Sequence, residues 1–165
     1  MSPDFRPPVP LRRPSRDVPL KVAVVGAGGW GEQHARVFAD RTDTRLCALV
    51  GRDPGRTSAR AEAYGTAGYT DLDAMLDAEQ PDLVTVSLPN EEHFGPTLHL
   101  LRRGFPLLVE KPLVFDLAEA DELIREARER GLFFAIDLNH RYAEPVQRLR
   151  KAIDDGELGE LVFAT

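Results

Sequence analysis

The sequence lacks the features that mark secreted, membrane-spanning or nucleic-acid-binding proteins. Its 165 residues include one cysteine, Cys47, which excludes an internal disulfide framework and favours a reducing compartment. No apolar run approaches the roughly 18 residues that a membrane-spanning helix needs. A net charge of −6 argues against a partner bound through phosphate electrostatics, and no Cys/His spacing suggests a metal site. We therefore expect a cytoplasmic protein without a nucleic-acid, membrane or metal partner.

The first 18 residues differ in composition from the rest of the sequence. The first twenty positions hold six prolines and four arginines but no apolar stretch, so a secretory signal is not expected. We interpret residues 1–18 as a disordered tail without a function of its own.

Beyond that tail, short β-branched segments alternate with helical patterns. We expect strands near 20–25, 45–50, 68–69, 83–87, 107–110 and 133–137, with helices between them. Such alternation predicts an α/β fold with a doubly wound parallel sheet, a Rossmann fold, over residues 19–143. A further helix at 144–155 and a strand at 161–165 form a separate C-terminal piece, residues 144–165.

The most informative segment is the glycine-rich run after the first predicted strand. Gly26, Gly28 and Gly31 have the G-x-G-x-x-G spacing of dinucleotide-binding turns, and Gly29 and Trp30 lie between them. The first glycine permits a tight turn, the second lets a pyrophosphate approach the backbone, and the third allows close helix packing. Because the N-terminus of the next helix favours anions, the run predicts a site for a dinucleotide pyrophosphate.

The residues after the second strand bear on the choice of cofactor. An acidic residue about 20 positions past the glycine turn binds the adenosine ribose of NAD. Here that place is taken by Gly51, which leaves room, and by Arg52, whose guanidinium can bind a 2′-phosphate. This favours NADP. If the position of the acid is shifted by two residues, Asp53 is that acid and NAD is the alternative cofactor. Asp53 is otherwise interpreted as the cap of the following helix.

Further polar segments also fall where predicted strands end. Because the carboxyl ends of parallel strands meet at one edge of a sheet, we expect five loops to gather around one ligand. These loops are residues 26–31, 51–53, 87–93, 110–112 and 137–142.

Three of these segments carry a resemblance to a known family. Glu110-Lys111-Pro112 resembles the signature of the Gfo/Idh/MocA oxidoreductases, the glucose–fructose oxidoreductase and inositol dehydrogenase family. Residues 87–93 resemble that family's loop after the fourth strand. Residues 139–142, with the helix that follows, resemble its link into a second domain. The resemblance extends from about Lys21 to the end of the sequence.

The resemblance implies a nicotinamide-dependent oxidoreductase that transfers a hydride to or from a sugar, a polyol or a related hydroxyl or carbonyl compound. It implies that Lys111 reaches the nicotinamide ribose and the substrate, where its charge assists the transfer. Glu110 would orient Lys111 or the ribose, and the bond before Pro112 is a candidate cis peptide. From the residues alone, Glu110 and Lys111 are also interpretable as an exposed ion pair.

The same resemblance assigns the remaining candidate residues. It implies that Asn90 and His93 border the nicotinamide, that Trp30 lies near the pyrophosphate turn and that Arg141 belongs to the cofactor site. His93 has an alternative role in capping or packing against the next helix. His34 is interpreted as a surface or packing residue.

Similar proteins carry a second domain that supplies an aspartate and a histidine, and the histidine is the proton donor or acceptor for the substrate. Here only its first strand, residues 161–165, is expected, so we predict negligible hydride transfer by this chain alone. Three alternatives stay open: a non-catalytic NAD(P)-binding module, a subunit completed by another chain, and a domain for another nucleotide such as coenzyme A. The lysine at position 111 disfavours the last. A homo-oligomer is also possible.

Overall fold

The computed structural model describes residues 17–163, in which six strands and six helices alternate. The strands are β1 (Leu20–Val25), β2 (Thr44–Val50), β3 (Ala67–Tyr69), β4 (Leu83–Val86), β5 (Leu107–Glu110) and β6 (Phe134–Asp137). The helices are α1 (Gly29–Asp40), α2 (Pro54–Ala63), α3 (Leu72–Glu79), α4 (Phe94–Arg102), α5 (Leu117–Glu129) and α6 (Glu144–Asp154). One-turn 3₁₀ helices, Asn90–Glu92 and Asn139–Tyr142, follow β4 and β6. The tail predicted at 1–18 lies almost wholly outside the described residues.

The six strands form one sheet in the order β3-β2-β1-β4-β5-β6, and every neighbouring pair is parallel. From β1 the chain proceeds outward to β3 and then crosses back to β4 on the other side of β1. The direction of winding therefore reverses between β1 and β4, which opens a crevice at the carboxyl ends of these strands. The predicted doubly wound parallel sheet is confirmed.

Helices cover both faces of the sheet, and this explains why the strands are apolar almost throughout. On one face Val24 of β1 belongs to a buried cluster with Ala35 of α1. On the other face Val84 of β4 belongs to a larger cluster with Leu101 of α4 and Leu123 of α5. Because both faces are packed, the strand ends are held in fixed relative positions, and so are the loops that follow them.

Three helices begin at an aspartate, as the sequence indicates. The side chains of Asp53, Asp71 and Asp116 each accept a hydrogen bond from a backbone N–H in the first turn of α2, α3 and α5. Each cap satisfies one of the N–H groups that a helix N-terminus leaves unpaired. The caps fix where these helices start relative to the preceding strands.

The C-terminal piece differs from the expectation. Helix α6 forms, but none of its residues is buried. The strand predicted at 161–165 is absent over residues 161–163, and residues 164–165 lie outside the described range. A strand is stabilised by hydrogen bonds to a neighbour, and none of the described strands pairs with this segment.

Among residues 17–163, none of the helices combines the length and the apolar character that a membrane-spanning helix requires.

Candidate functional site

A cavity of about 420 Å³ lies at the point where the winding of the sheet reverses. It is lined by the loops after β1, β2 and β4, through residues 26–30, 51–53 and 87–89, together with Arg56 of α2. Three of the five loops that the sequence places at this edge therefore meet around one space. The loops after β5 and β6 begin at the same edge of the sheet, because β5 and β6 are the next strands beyond β4.

The glycines of the first loop have two different functions in the structure. Gly26 has φ +121°, and a Cβ there would lie 2.0 Å from the carbonyl oxygen of Ser87. A Cβ on Gly31 would lie 1.8 Å from the oxygen of Gly26. Apart from the adjoining residues and the backbone of α1 itself, no heavy atom lies within 4 Å of a Cβ built on Gly28 or Gly29. Protein packing therefore requires Gly26 and Gly31, the first and third glycines of the motif, whereas Gly28 and Gly29 leave open backbone beside the cavity.

The charged residues after β2 line the cavity but already have partners. The Arg52 guanidinium lies 3.0 Å from a carboxylate oxygen of Glu92, and its side chain is 80% exposed. Asp53 accepts a hydrogen bond of 2.9 Å from the backbone N–H of Arg56, so its interpretation as a helix cap is confirmed. Of the two residues, Arg52 is the one whose charged group is most open to a ligand.

Gly51 does not leave the space that the sequence suggests. A Cβ at this position would lie 2.5 Å from Ala27 Cβ and 2.5 Å from Thr57 Oγ1. The volume that a side chain would occupy is therefore filled by protein. The expectation that this glycine makes room for a cofactor group is wrong, because the glycine instead allows the first and second loops to pack closely.

Glu110, at the end of β5, is buried within a hydrogen-bond network. One carboxylate oxygen accepts a hydrogen bond from Trp30 Nε1 and lies 3.0 Å from His34 Nε2. The other accepts the backbone N–H of Lys111 at 3.1 Å. The carboxylate is therefore paired inside the protein, and the alternative of an exposed ion pair with Lys111 is wrong. Trp30, expected only near the pyrophosphate turn, also connects that turn to β5.

His34 is the main residue of this network that sequence reasoning missed. Its ring is buried, with Nδ1 2.7 Å from Thr85 Oγ1 and Nε2 3.7 Å from an Asp137 oxygen. One ligand atom each from His34, Glu110 and Asp137 lies within 4.8 Å of the others, which is also a metal-compatible spacing. The hydrogen bonds to Glu110 satisfy its carboxylate without an ion. The sequence offers one signal of this network: Thr85, a polar residue inside the otherwise apolar strand β4, needs a polar partner, and that partner is His34.

Lys111 presents its side chain at the open edge of the sheet. The residue is exposed, and the peptide bond to Pro112 is cis, as expected. Across residues 17–163, its ammonium has no hydrogen bond or ion pair, and only its backbone N–H is bonded. Lys111 therefore places an unpaired positive charge next to the buried Glu110 at the carboxyl edge of the sheet, although it does not line the 420 Å³ cavity.

The structure places His93 away from the open edge. Its ring has no exposed surface, with Nδ1 2.8 Å from the carbonyl oxygen of Pro112 and Nε2 2.9 Å from that of Leu88. A fully buried ring offers no surface to a bound nicotinamide in this conformation, and the expectation that His93 borders the nicotinamide stays a prediction. His93 instead ties the loop after β4 to the segment after β5, which agrees with its packing alternative.

Asn90 and Arg141 lie in the 3₁₀ helices after β4 and β6, and both are exposed. Neither lines the 420 Å³ cavity. Their position at the carboxyl edge of the sheet follows from the strands that precede them. A cofactor-binding role for either residue stays a prediction.

The strand order, the glycine turn where the winding reverses and the open backbone at the start of α1 together define a dinucleotide-binding Rossmann domain. Residues 20–138 match the family described as "Oxidoreductase family, NAD-binding Rossmann fold". The chain belongs to this family, the Gfo/Idh/MocA oxidoreductases, so the resemblance seen in the sequence is confirmed.

Several known proteins resemble the chain along most of its length. It is 38% identical to the D-glucoside 3-dehydrogenase of Escherichia coli K12 over 149 residues, which are 89% of this chain and 42% of that enzyme. The crystal structure of myo-inositol 2-dehydrogenase from Lactobacillus plantarum superimposes with a TM-score of 0.81 at 26% identity, covering 87% and 43%. A 3-ketoreductase from Actinomadura kijaniata, crystallised with TDP-benzene and NADP, gives 0.80 at 26%, covering 87% and 46%. The chain spans less than half of each.

Proposed function

We propose that this chain forms the cofactor side of an NAD(P)-dependent oxidoreductase that acts on a sugar, a polyol or a related hydroxyl or carbonyl compound. The observation that carries the proposal is the convergence of the open glycine turn, Arg52 and the unpaired Lys111 on one edge of the sheet. The family and the names of its dehydrogenase relatives support the redox chemistry and the substrate class.

The residues around the cavity fit a dinucleotide. Gly28 and Gly29 leave their backbone accessible at the N-terminus of α1, where an anionic pyrophosphate is favoured. Ser87 lines the same cavity, and its buried Oγ has no hydrogen-bond partner among the described residues. A buried hydroxyl without a partner is unusual, and a bound cofactor would supply one.

When bound at the edge of the sheet that carries the glycine turn, the cofactor would supply hydride-transfer chemistry. The Lys111 ammonium would stabilise the negative charge that develops on the substrate oxygen during the transfer. Glu110, held by Trp30 and His34, fixes the end of β5 and accepts the Lys111 backbone N–H. The other groups that contact the substrate are proposed to correspond to the part of the relatives that this chain does not span, or to lie on a complementing chain.

NADP is the proposed preferred cofactor. The guanidinium of Arg52 provides a charged partner for a 2′-phosphate, and the position where an NAD-binding acid is expected holds Gly51. The Actinomadura 3-ketoreductase, a relative of 26% identity, has a structure with NADP.

Calorimetric titration of the full chain with NADP⁺ and NAD⁺ tests this proposal. We expect NADP⁺ to bind at least about tenfold more tightly, a difference that Arg52→Gln removes while Arg125→Gln, an exposed arginine on α5, preserves it. Lys111→Met should weaken NADP⁺ but not 2′,5′-ADP, because the proposed contact is to the nicotinamide half. Absence of binding by either dinucleotide contradicts the proposed function, and a tenfold preference for NAD⁺ contradicts the choice of cofactor.

A further inference from the structure

Arg60, on α2, reaches the glycine turn from outside the cavity. Its Nη1 donates to the carbonyl oxygen of Ala27 at 2.5 Å and also to that of Gly28. Its Nη2 lies 3.0 Å from a carboxylate oxygen of Glu32 in the first turn of α1, and the side chain is only 21% exposed. One guanidinium therefore connects α2 to the turn and to the start of α1.

These contacts fix the direction of the N–H groups in the turn. In a planar trans peptide, the carbonyl oxygen and the following N–H point to opposite sides. Holding the Ala27 and Gly28 carbonyls towards Arg60 therefore turns the N–H groups of Gly28 and Gly29 away from Arg60. Within residues 17–163, neither N–H has a hydrogen-bond acceptor outside the turn. They are the donors that a phosphate in the crevice would use.

The Gly28 carbonyl also accepts the Glu32 backbone N–H at 3.1 Å, whereas among the described residues the Ala27 carbonyl is held by Arg60 alone. Gly28 and Gly29 have no side chains, no packing atom lies within 4 Å of their Cβ positions, and Gly28 caps α1 without a side-chain hydrogen bond. Glycine loses more conformational freedom on ordering than any other residue. An ordering contact from another element therefore has a large effect on this segment.

We propose that Arg60 is a positioning residue for the dinucleotide pyrophosphate: it orients the Gly28 and Gly29 amides for the phosphates without contacting them itself. Arg60 does not line the cavity, unlike Arg52 and Arg56. Its pairing with Glu32 keeps the guanidinium engaged with protein. This inference rests on the proposed cofactor binding, which it deepens by naming what preorganises the turn.

Binding measurements on the full chain test the proposal with ligands that do or do not contain a pyrophosphate. Arg60→Met keeps the aliphatic stem and removes the donors, and Arg60→Lys keeps the charge but loses the planar fork. We expect both variants to raise the Kd for NADP⁺ by about tenfold and to change the Kd for 2′-AMP by less than about twofold. Arg125→Met, which removes an exposed arginine on α5, should leave both values unchanged.

Three outcomes overturn the proposal: unchanged NADP⁺ binding in Arg60→Met, equal weakening of both ligands, or wild-type affinity in Arg60→Lys, which would mean that charge alone matters. NMR relaxation of the ligand-free chain is a second test that needs no ligand. The Gly28 and Gly29 amides should lose order in Arg60→Lys, while amides in β1 keep theirs, and unchanged order overturns the proposal. A wild-type chain that binds no dinucleotide overturns the proposed function, whatever the relaxation data show.

Discussion

The carboxylate of Glu92 holds the guanidinium of Arg52, with Oε1 and Nη2 3.0 Å apart. Arg52 follows β2 and Glu92 follows β4, which lie on opposite sides of β1. The ion pair therefore spans the edge of the sheet where the glycine turn emerges from β1. Both side chains are substantially exposed, so the pair is weak, and under the proposed NADP binding a doubly charged 2′-phosphate would compete with Glu92 for the same guanidinium.

Glu92→Gln should increase the preference for NADP. Removing the carboxylate frees Arg52, and an exposed pair is worth at most about 1 kcal/mol, so we expect NADP⁺ to bind about two- to fivefold more tightly. Calorimetry with NADP⁺ and NAD⁺ measures the change in their affinity ratio. Glu91→Gln, which neutralises the adjacent exposed carboxylate, controls for the general loss of negative charge. An equal gain for both dinucleotides would show that Glu92 does not compete for Arg52.

Gly51→Asp should fail to convert the site to NAD. An acid at this place would normally favour the NAD ribose, but its Cβ would lie 2.5 Å from both Ala27 Cβ and Thr57 Oγ1. We expect a loss of about 1–3 kcal/mol in the free energy of unfolding, measured with denaturant, and the same loss for Gly51→Ala. Gly55→Ala, whose nearest contact is 3.5 Å away, is the matched control. A stable Gly51→Asp protein with tighter NAD⁺ binding would refute this prediction.

Gly28→Ala and Gly31→Ala should separate cofactor binding from folding. A Cβ at Gly31 meets the oxygen of Gly26 at 1.8 Å, so this variant should lose at least about 3 kcal/mol of stability. Gly28 has φ −75°, which alanine adopts freely, and no neighbour within 4 Å. Gly28→Ala should therefore keep its melting temperature but bind NADP⁺ at least about tenfold more weakly, since a methyl group enters the pyrophosphate approach. Wild-type affinity in Gly28→Ala would place the phosphates elsewhere.

His34→Leu should destabilise the protein and disturb Trp30. The substitution removes the ring beside the buried Glu110 carboxylate and leaves that charge with fewer donors, at a cost of about 1–3 kcal/mol. Trp30 is the single tryptophan and bonds to the same carboxylate, so its fluorescence should report the rearrangement. His99→Leu, which removes a half-exposed ring paired with Asp73, should cost less and leave the emission unchanged. Unaltered stability and emission in His34→Leu would argue against the network.

Cys47 should resist thiol reagents in the folded protein. Burial raises the pKa of its thiol to about 11, and the sulfur donates to the carbonyl oxygen of Val22. At pH 8 the side chain is therefore the unreactive thiol rather than the thiolate. Labelling with a chromogenic disulfide should be slow in native buffer and fast in denaturant. Because the unfolded thiol ionises first, near its ordinary pKa of 9.0, this contribution to stability is present below pH 9 and is lost as the pH rises towards 11. Rapid native labelling would contradict the buried placement.

The sequence by itself determined the fold and the position of the cofactor turn. Apolar strands that alternate with capped helices predict a parallel sheet. The capping aspartates Asp53, Asp71 and Asp116 are recognisable from the local sequence, and each caps a helix in the structure. The spacing of Gly26, Gly28 and Gly31 is equally local. These features were predictable because neighbours in the chain decide them.

Only the tertiary structure decided which side chains at the edge of the sheet are buried and which contact one another. It buries His93, joins His34 to Glu110, closes the space beside Gly51 and brings Arg60 to the glycine turn. These partners are separated by many residues in the chain, and their distances depend on how helices pack on the sheet. The periodicity and spacing of the sequence do not predict such distances. The distances depend on how side chains fill the space between the layers and on hydrogen bonds that form only once the layers have packed.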